Sequence, residues 1–130
     1  GVDYDYLDLM GMKMADGRFF SRDFPSDLTN SIVVNQALVD QFGIEDPIGH
    51  TLTNWLGFIY EDSPTIIGVV DDFNFASLHQ EVEPLVMNMH PDYYNYMGAI
   101  LIRIQPDNVQ ASLARIEATW NKTRPGKPYN

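Results

Sequence analysis

The stretch SIVVNQALVDQFG, Ser31–Gly43, reads as a strand delivered straight into a helix. Ile32, Val33 and Val34 are three β-branched residues in a row, the composition of a short buried strand. Asn35 follows, a good N-cap because its short side chain accepts a bond from an otherwise orphaned backbone N–H. Ala37, Leu38, Val39 and Phe42 then recur at helical spacing, and Gly43 stands where a helix closes in a left-handed conformation. One stretch thus implies at least one β-α unit ending in a sheet.

Downstream, Pro47-Ile48-Gly49 makes a turn into His50–Asn54, an alternating strand candidate, while 55–64 fits a hairpin tip or an irregular loop. Thr65–Phe75 (TIIGVVDDFNF) opens as a buried β-run. Its interior Gly68 marks a bulge or a close backbone approach. Leu85–Met89 and Gly98–Ile104 are further strands, separated by a tyrosine-rich turn over Pro91–Asn95. A helix follows Pro106, with Asp107 and Gln110 spaced as a capping box and Val109, Leu113, Ile116 and Trp120 forming one apolar stripe. Upstream, Tyr4–Met12 predicts a short helix with Tyr6, Leu9 and Met10 on one face and Gly11 as its end. Asp16-Gly17 predicts a turn, and Ser21–Asn30 a loop. The interleaving predicts an α+β fold, a mixed sheet with two or three helices.

The chain has 130 residues, one domain's worth, and 45% hydrophobic composition, which places it among globular proteins. Eighteen acids against eight bases give a net charge of −10. Residues 23–102 carry twelve acids and no Lys or Arg, whereas 103–130 carry five bases and two acids. A run that long without a cation cannot neutralise phosphates, so nucleic-acid binding is excluded for the bulk of the domain. With no cysteine there is no disulfide, thiolate metal site or thiol nucleophile. No apolar run approaches the length of a membrane span. The sequence opens on Gly1 without a basic-then-apolar leader and reads as a piece of a longer protein.

Three groups of residues could carry chemistry. Asp71-Asp72 at a strand end resembles a catalytic placement, but neighbours in a strand point to opposite faces and would not converge on one proton or metal. His79, Glu81 and Glu83 alternate and would share a face of an extended segment, as metal ligands could, yet the motif is short and runs into Pro84. Tyr93, Tyr94 and Tyr96 crowd one loop that could hold a sugar or peptide, although packing or a protein interface uses tyrosine in the same way. Phosphate-cradling loops, nucleophile elbows and zinc-binding helix motifs are absent from the sequence. The residues therefore assign no catalytic, cofactor or metal site, and point away from an enzyme.

Read in order, VDYDYLDLMGM (2–12), GRFF (17–20), SIVVNQALVDQFG (31–43), PIG (47–49), TIIGVVDDFNFASL (65–78) and EPLV (83–86) resemble the MacB-like periplasmic core domain of FtsX/MacB-type ABC transporter permeases. The resemblance covers residues 2–104, and the last helix suits it. It implies that 1–130 is a single extracytoplasmic domain, a fragment of a two-lobed core domain with a βαβ lobe and a smaller mixed lobe. It implies a place on the periplasmic face of the bacterial inner membrane. The implied partners are the rest of the permease, its cytoplasmic ATPase and a periplasmic protein. The permease would be a homodimer or heterodimer and the isolated domain a monomer. The implied function is non-enzymatic: coupling ATP-driven motion to periplasmic partners or substrate export by mechanical transmission, with no cofactor. Two alternatives stay open, a small-ligand or carbohydrate-binding module using the Tyr93–Tyr96 loop, and a metal-assisted hydrolase on Asp71, Asp72, His79 and Glu81. In the permease reading, the acidic 23–102 region is expected to lie away from the membrane and the basic C-terminal end near it.

Overall fold

The structure is a computed structural model and describes residues 1–53, 63–72, 82–92 and 99–126. Gly1–Ile100 and Leu101–Asn130 are two compact units. The first holds helix α1 (Tyr6–Met10), strand β1 (Met14–Gly17), strand β2 (Ser31–Asn35), helix α2 (Gln36–Phe42), strand β3 (Thr65–Val70) and strand β4 (Val86–Asn88). The second holds helix α3 (Val109–Thr123). The fold is α+β, as the sequence predicts.

The four strands form one mixed sheet in the order β1-β3-β2-β4. β2 and β3 are parallel, and α2 lies on the connection between them, as a parallel pair requires a crossover. β1 runs antiparallel to β3 and β4 antiparallel to β2. The strands most apolar in sequence are thus the two central ones, and β2 is buried at all five positions. The N-terminal segment comes back to the β4 edge, where the Val2 N–H donates to the Asn88 carbonyl at 2.9 Å.

Side chains alternate across the pleat and feed two cores. Ile32 and Val34 pack with Leu38, Val39, Ile66 and Val69 on the α2 face. Val33 points the other way, into a core of Val2, Met12, Phe20, Val70, Met87 and Met89. Ile66 and Val69 share a face although they are three residues apart. The parallel ladder pairs Ile32 with Ile66 but Val33 with Gly68, so one extra residue on β3 shifts its parity. This is the bulge that Gly68 signals in the sequence. The α1 residues reaching the second core are Tyr6, Leu7 and Met10, whereas the spacing points to Tyr6, Leu9 and Met10. Gly11 ends the helix at φ 69°, as expected.

β1 corrects the sequence reading. Asp16-Gly17 does not reverse the chain; both residues lie within this strand. Three of its four residues are exposed, and it has none of the β-branched residues that advertise a strand. Gly17 does adopt a left-handed φ of 65°, but the glycine serves a close crossing: a Cβ there would overlap the Ile67 carbonyl and approach Ile48 Cδ1. Gly17 pairs with Gly68, so the two strands cross where neither has a side chain. Beyond Gly17 the same side of β3 is taken over by another segment. The Gly49 N–H donates to the Ile66 carbonyl at 2.8 Å, the Ile66 N–H to His50 O at 2.8 Å and the Leu52 N–H to Pro64 O at 3.0 Å. The strand expected at His50–Asn54 is reduced, over the described residues, to one bridge between Thr51 and Thr65.

Two further expectations fail. Gly98–Ile104 is expected as a strand, but 99–105 carries none, and Ile100, Leu101 and Ile102 are 74%, 52% and 54% exposed. β propensity expresses fit to a paired, half-buried surface, and none of the described strands pairs with this segment. The capping box also does not form. Pro106–Asn108 makes a 3-10 turn, Asn108 takes the N-cap position without a side-chain bond, and the Asp107–Gln110 spacing falls one residue out of phase. The helix itself runs through the predicted stripe, with Ile116 and Trp120 half-buried and Val109 and Leu113 exposed.

Candidate functional site

Among the described residues, three of the buried polar side chains of the first unit, Asp27, Ser31 and Asn35, lie at two joints. The first lies where β2 becomes α2. The Asn35 Oδ1 accepts from the Leu38 N–H at 3.2 Å, the capping bond foreseen in the sequence. The same oxygen accepts from the Leu85 N–H at 2.8 Å, and Asn35 Nδ2 donates to Glu83 O at 2.9 Å. One buried side chain thereby joins the end of β2, the start of α2 and the approach to β4. Asp72, at the end of β3, places Oδ1 2.8 Å from the Ala37 N–H. Two orphan donors of α2 are satisfied by two different strands, and the carboxylate also suits the positive end of the helix.

Asp72 is therefore a helix cap. The backbone N–H of Asp71 donates to Lys13 O at 2.9 Å, so Asp71 ties the end of β3 to the entry of β1. His79 and Glu81, the other residues of the metal-hydrolase alternative, and Tyr93, Tyr94 and Tyr96 of the ligand-binding alternative lie outside the described residues. Glu83 contributes its backbone carbonyl to the Asn35 joint. Among the described residues no three His, Asp or Glu side chains are grouped to hold a metal ion. Replacing Asp72 with alanine should cost about 1 kcal/mol, the usual worth of a cap, and Asp72→Asn should cost less because the amide oxygen still accepts. Urea denaturation of the two variants measures the difference.

The second joint was not legible in the sequence. Asp27, with no exposed surface, sits in a 3-10 turn over Pro25–Leu28. It takes Arg18 Nη1 at 2.6 Å and Nη2 at 2.9 Å, the Ser21 N–H at 3.0 Å and Ser31 Oγ at 3.1 Å. Burial pushes this carboxyl up, but the Arg18 hydrogen bonds, the Ser21 amide, the Arg18 charge and the Ser31 hydroxyl outweigh it and hold the acid below its ordinary value. Arg18 is raised in turn, chiefly by its hydrogen bond to Asp27. Only a pairing signal could have found this joint: an Arg and an Asp nine residues apart, both in a stretch that reads as turn and loop.

A family model described as the MacB-like periplasmic core domain matches residues 1–119. The chain belongs to this family. A crystal structure of the periplasmic region of MacB from Actinobacillus actinomycetemcomitans aligns with a TM-score of 0.48 and 17% identity, over 91% of this chain and 54% of that one. The chain thus spans about half the length of that solved neighbour. No curated protein matches it.

In this MacB-like domain, several of the segments that carry the family likeness lie at these joints or at the crossing of β1 and β3. SIVVNQALVDQFG is β2, its Asn35 cap and α2. TIIGVV is β3 with its bulge, and EPLV leads from the Asn35 joint into β4. GRFF contains Gly17 at the crossing, Arg18 on Asp27, and Phe19 against Phe20, edge to face at 4.9 Å. These residues fix backbone geometry. Among the described residues no helix is long and apolar enough to cross a membrane.

Proposed function

We propose that this chain is an extracytoplasmic, non-enzymatic domain of an ABC transporter permease subunit, coupling ATP-driven motion to a periplasmic partner or to substrate export. The match of the family model over residues 1–119 carries this reading. The joints support it, because their polar groups are engaged in holding strands and a helix together rather than in presenting reactive atoms. The partners in this reading are the membrane part of the permease and its cytoplasmic ATPase, in a dimeric permease.

Topology and motion are tested separately. An alkaline phosphatase reporter placed after Asn130 in the natural subunit should be active, and an inactive enzyme with a fluorescent cytoplasmic counterpart would overturn the placement. Spin labels at exposed Thr29 in the dimeric permease should report a changed inter-subunit distance between nucleotide-free and ATP-bound states. Identical distance distributions would overturn the coupling role.

A further inference from the structure

Asp16-Gly17 is the single Asp-Gly pair of the chain, which has no Asn-Gly. Both residues are exposed on β1. The Gly17 N–H donates to Asp16 Oδ1 at 2.7 Å. An oxygen held at that distance keeps its carboxyl carbon beside the next backbone nitrogen, in the approach that closes a five-membered ring. Glycine leaves that nitrogen uncrowded, because it has no side chain. Among the described residues no cation draws the Asp16 carboxylate elsewhere.

We infer that Asp16 is a site of spontaneous isomerisation to isoaspartate in the folded protein. The Gly17 nitrogen attacks Cγ of the protonated Asp16 carboxyl. The N–Cγ bond forms, the Cγ–OH bond breaks, and the hydroxyl leaves with the amide proton as water, giving a succinimide. Water then adds to one of the two ring carbonyls. Addition at Cγ breaks the new N–Cγ bond and restores aspartate. Addition at the Asp16 main-chain carbonyl breaks its bond to the Gly17 nitrogen, so the chain runs through Cβ and Cγ and the α-carboxylate is set free. Water is the only co-reactant and nothing is oxidised or reduced. The place of the pair in the fold gives the change a consequence. Isoaspartate lengthens the β1 backbone by a single carbon, directly before the position where even a Cβ would overlap the Ile67 carbonyl. The pairings of Asp16 with Val69 and Gly17 with Gly68 cannot both survive that insertion. The next residue, Arg18, carries both the bond to Ile67 O and the ion pair with Asp27. The modified chain therefore holds β1 less firmly on the sheet.

The test ages the folded chain and the free peptide Met10–Phe20 side by side at mildly acidic pH. Isoaspartate is counted with an isoaspartyl methyltransferase and a labelled methyl donor, and located by peptide mapping. It should accumulate at Asp16 in the folded chain at a rate within about tenfold of the peptide's, since the carboxyl is already exposed and in place. Asp16→Glu, which needs a six-membered ring and one more frozen torsion, should lower the yield about tenfold or more. The modified fraction, separated by ion exchange, should unfold at a lower urea concentration than the unmodified one. A folded rate more than about tenfold below the peptide's would show that the strand protects the bond and would overturn the proposal. So would label found only at other residues, an equal yield from Asp16→Glu, or an unchanged urea midpoint in the modified fraction.

Discussion

Gly68→Ala is expected to destabilise the domain by about 3 kcal/mol, the upper end of what overpacking a closed site costs. The added methyl would overlap the Arg18 carbonyl and come within 2.7 Å of Met14 Cε. The methionine end can swing aside, but the carbonyl belongs to backbone held by the Arg18 N–H bond to Ile67 O at 3.0 Å. Relief therefore requires β1 to draw away from β3, loosening the contacts of Met14 and Val70 with their core. Gly11→Ala is the control, because a Cβ there meets nothing and only the left-handed φ resists it, at about 1 kcal/mol. Urea midpoints of the two variants separate crowding from backbone strain. Equal losses would show that the crossing at Gly68 is not closed.

Arg18→Met is expected to cost about 3 kcal/mol or more at neutral pH, because it leaves a buried carboxylate with its strongest partner gone. The pH dependence gives the effect a signature. In the wild type the folded-state acid lies below its unfolded value, so the stabilisation is complete above the unfolded pKa, about 3.9, and is lost as pH falls through the folded one. In the variant, burial dominates and raises the folded value, so the penalty is present at pH 7 and relieved by acid. The stability gap between the two proteins should narrow from pH 7 toward pH 3. Denaturation curves across that range measure it, and a gap constant with pH would mean that Arg18 acts by packing against Phe24 rather than by charge.

The central pair of the sheet was legible because β2 and β3 are largely buried on both faces, so most of their residues are branched and apolar. Asn35 and Gly43 were legible because local backbone geometry selects those residue types. Gly68 was legible for the same reason. β1 was not, since an edge strand with exposed residues needs no apolar pattern and its glycine resembles a turn signal. The segment 99–105 failed in the opposite sense: its pattern is that of a strand, but pairing is a property of what lies beside it. Asp27 was hidden because its partners are a side chain nine residues away and a backbone amide in a loop. Asp72 read as one of two strand-end carboxylates that would not converge on one proton or metal, and only the spatial neighbour Ala37 shows it to be a cap.

The bond from Val2 to Asn88 has a mechanical consequence. Between these two residues lie α1 and all four strands, so the bond ties the two ends of that stretch together. A pull between these two positions is met there, at the β4 edge, before it can stretch the ladders of the sheet.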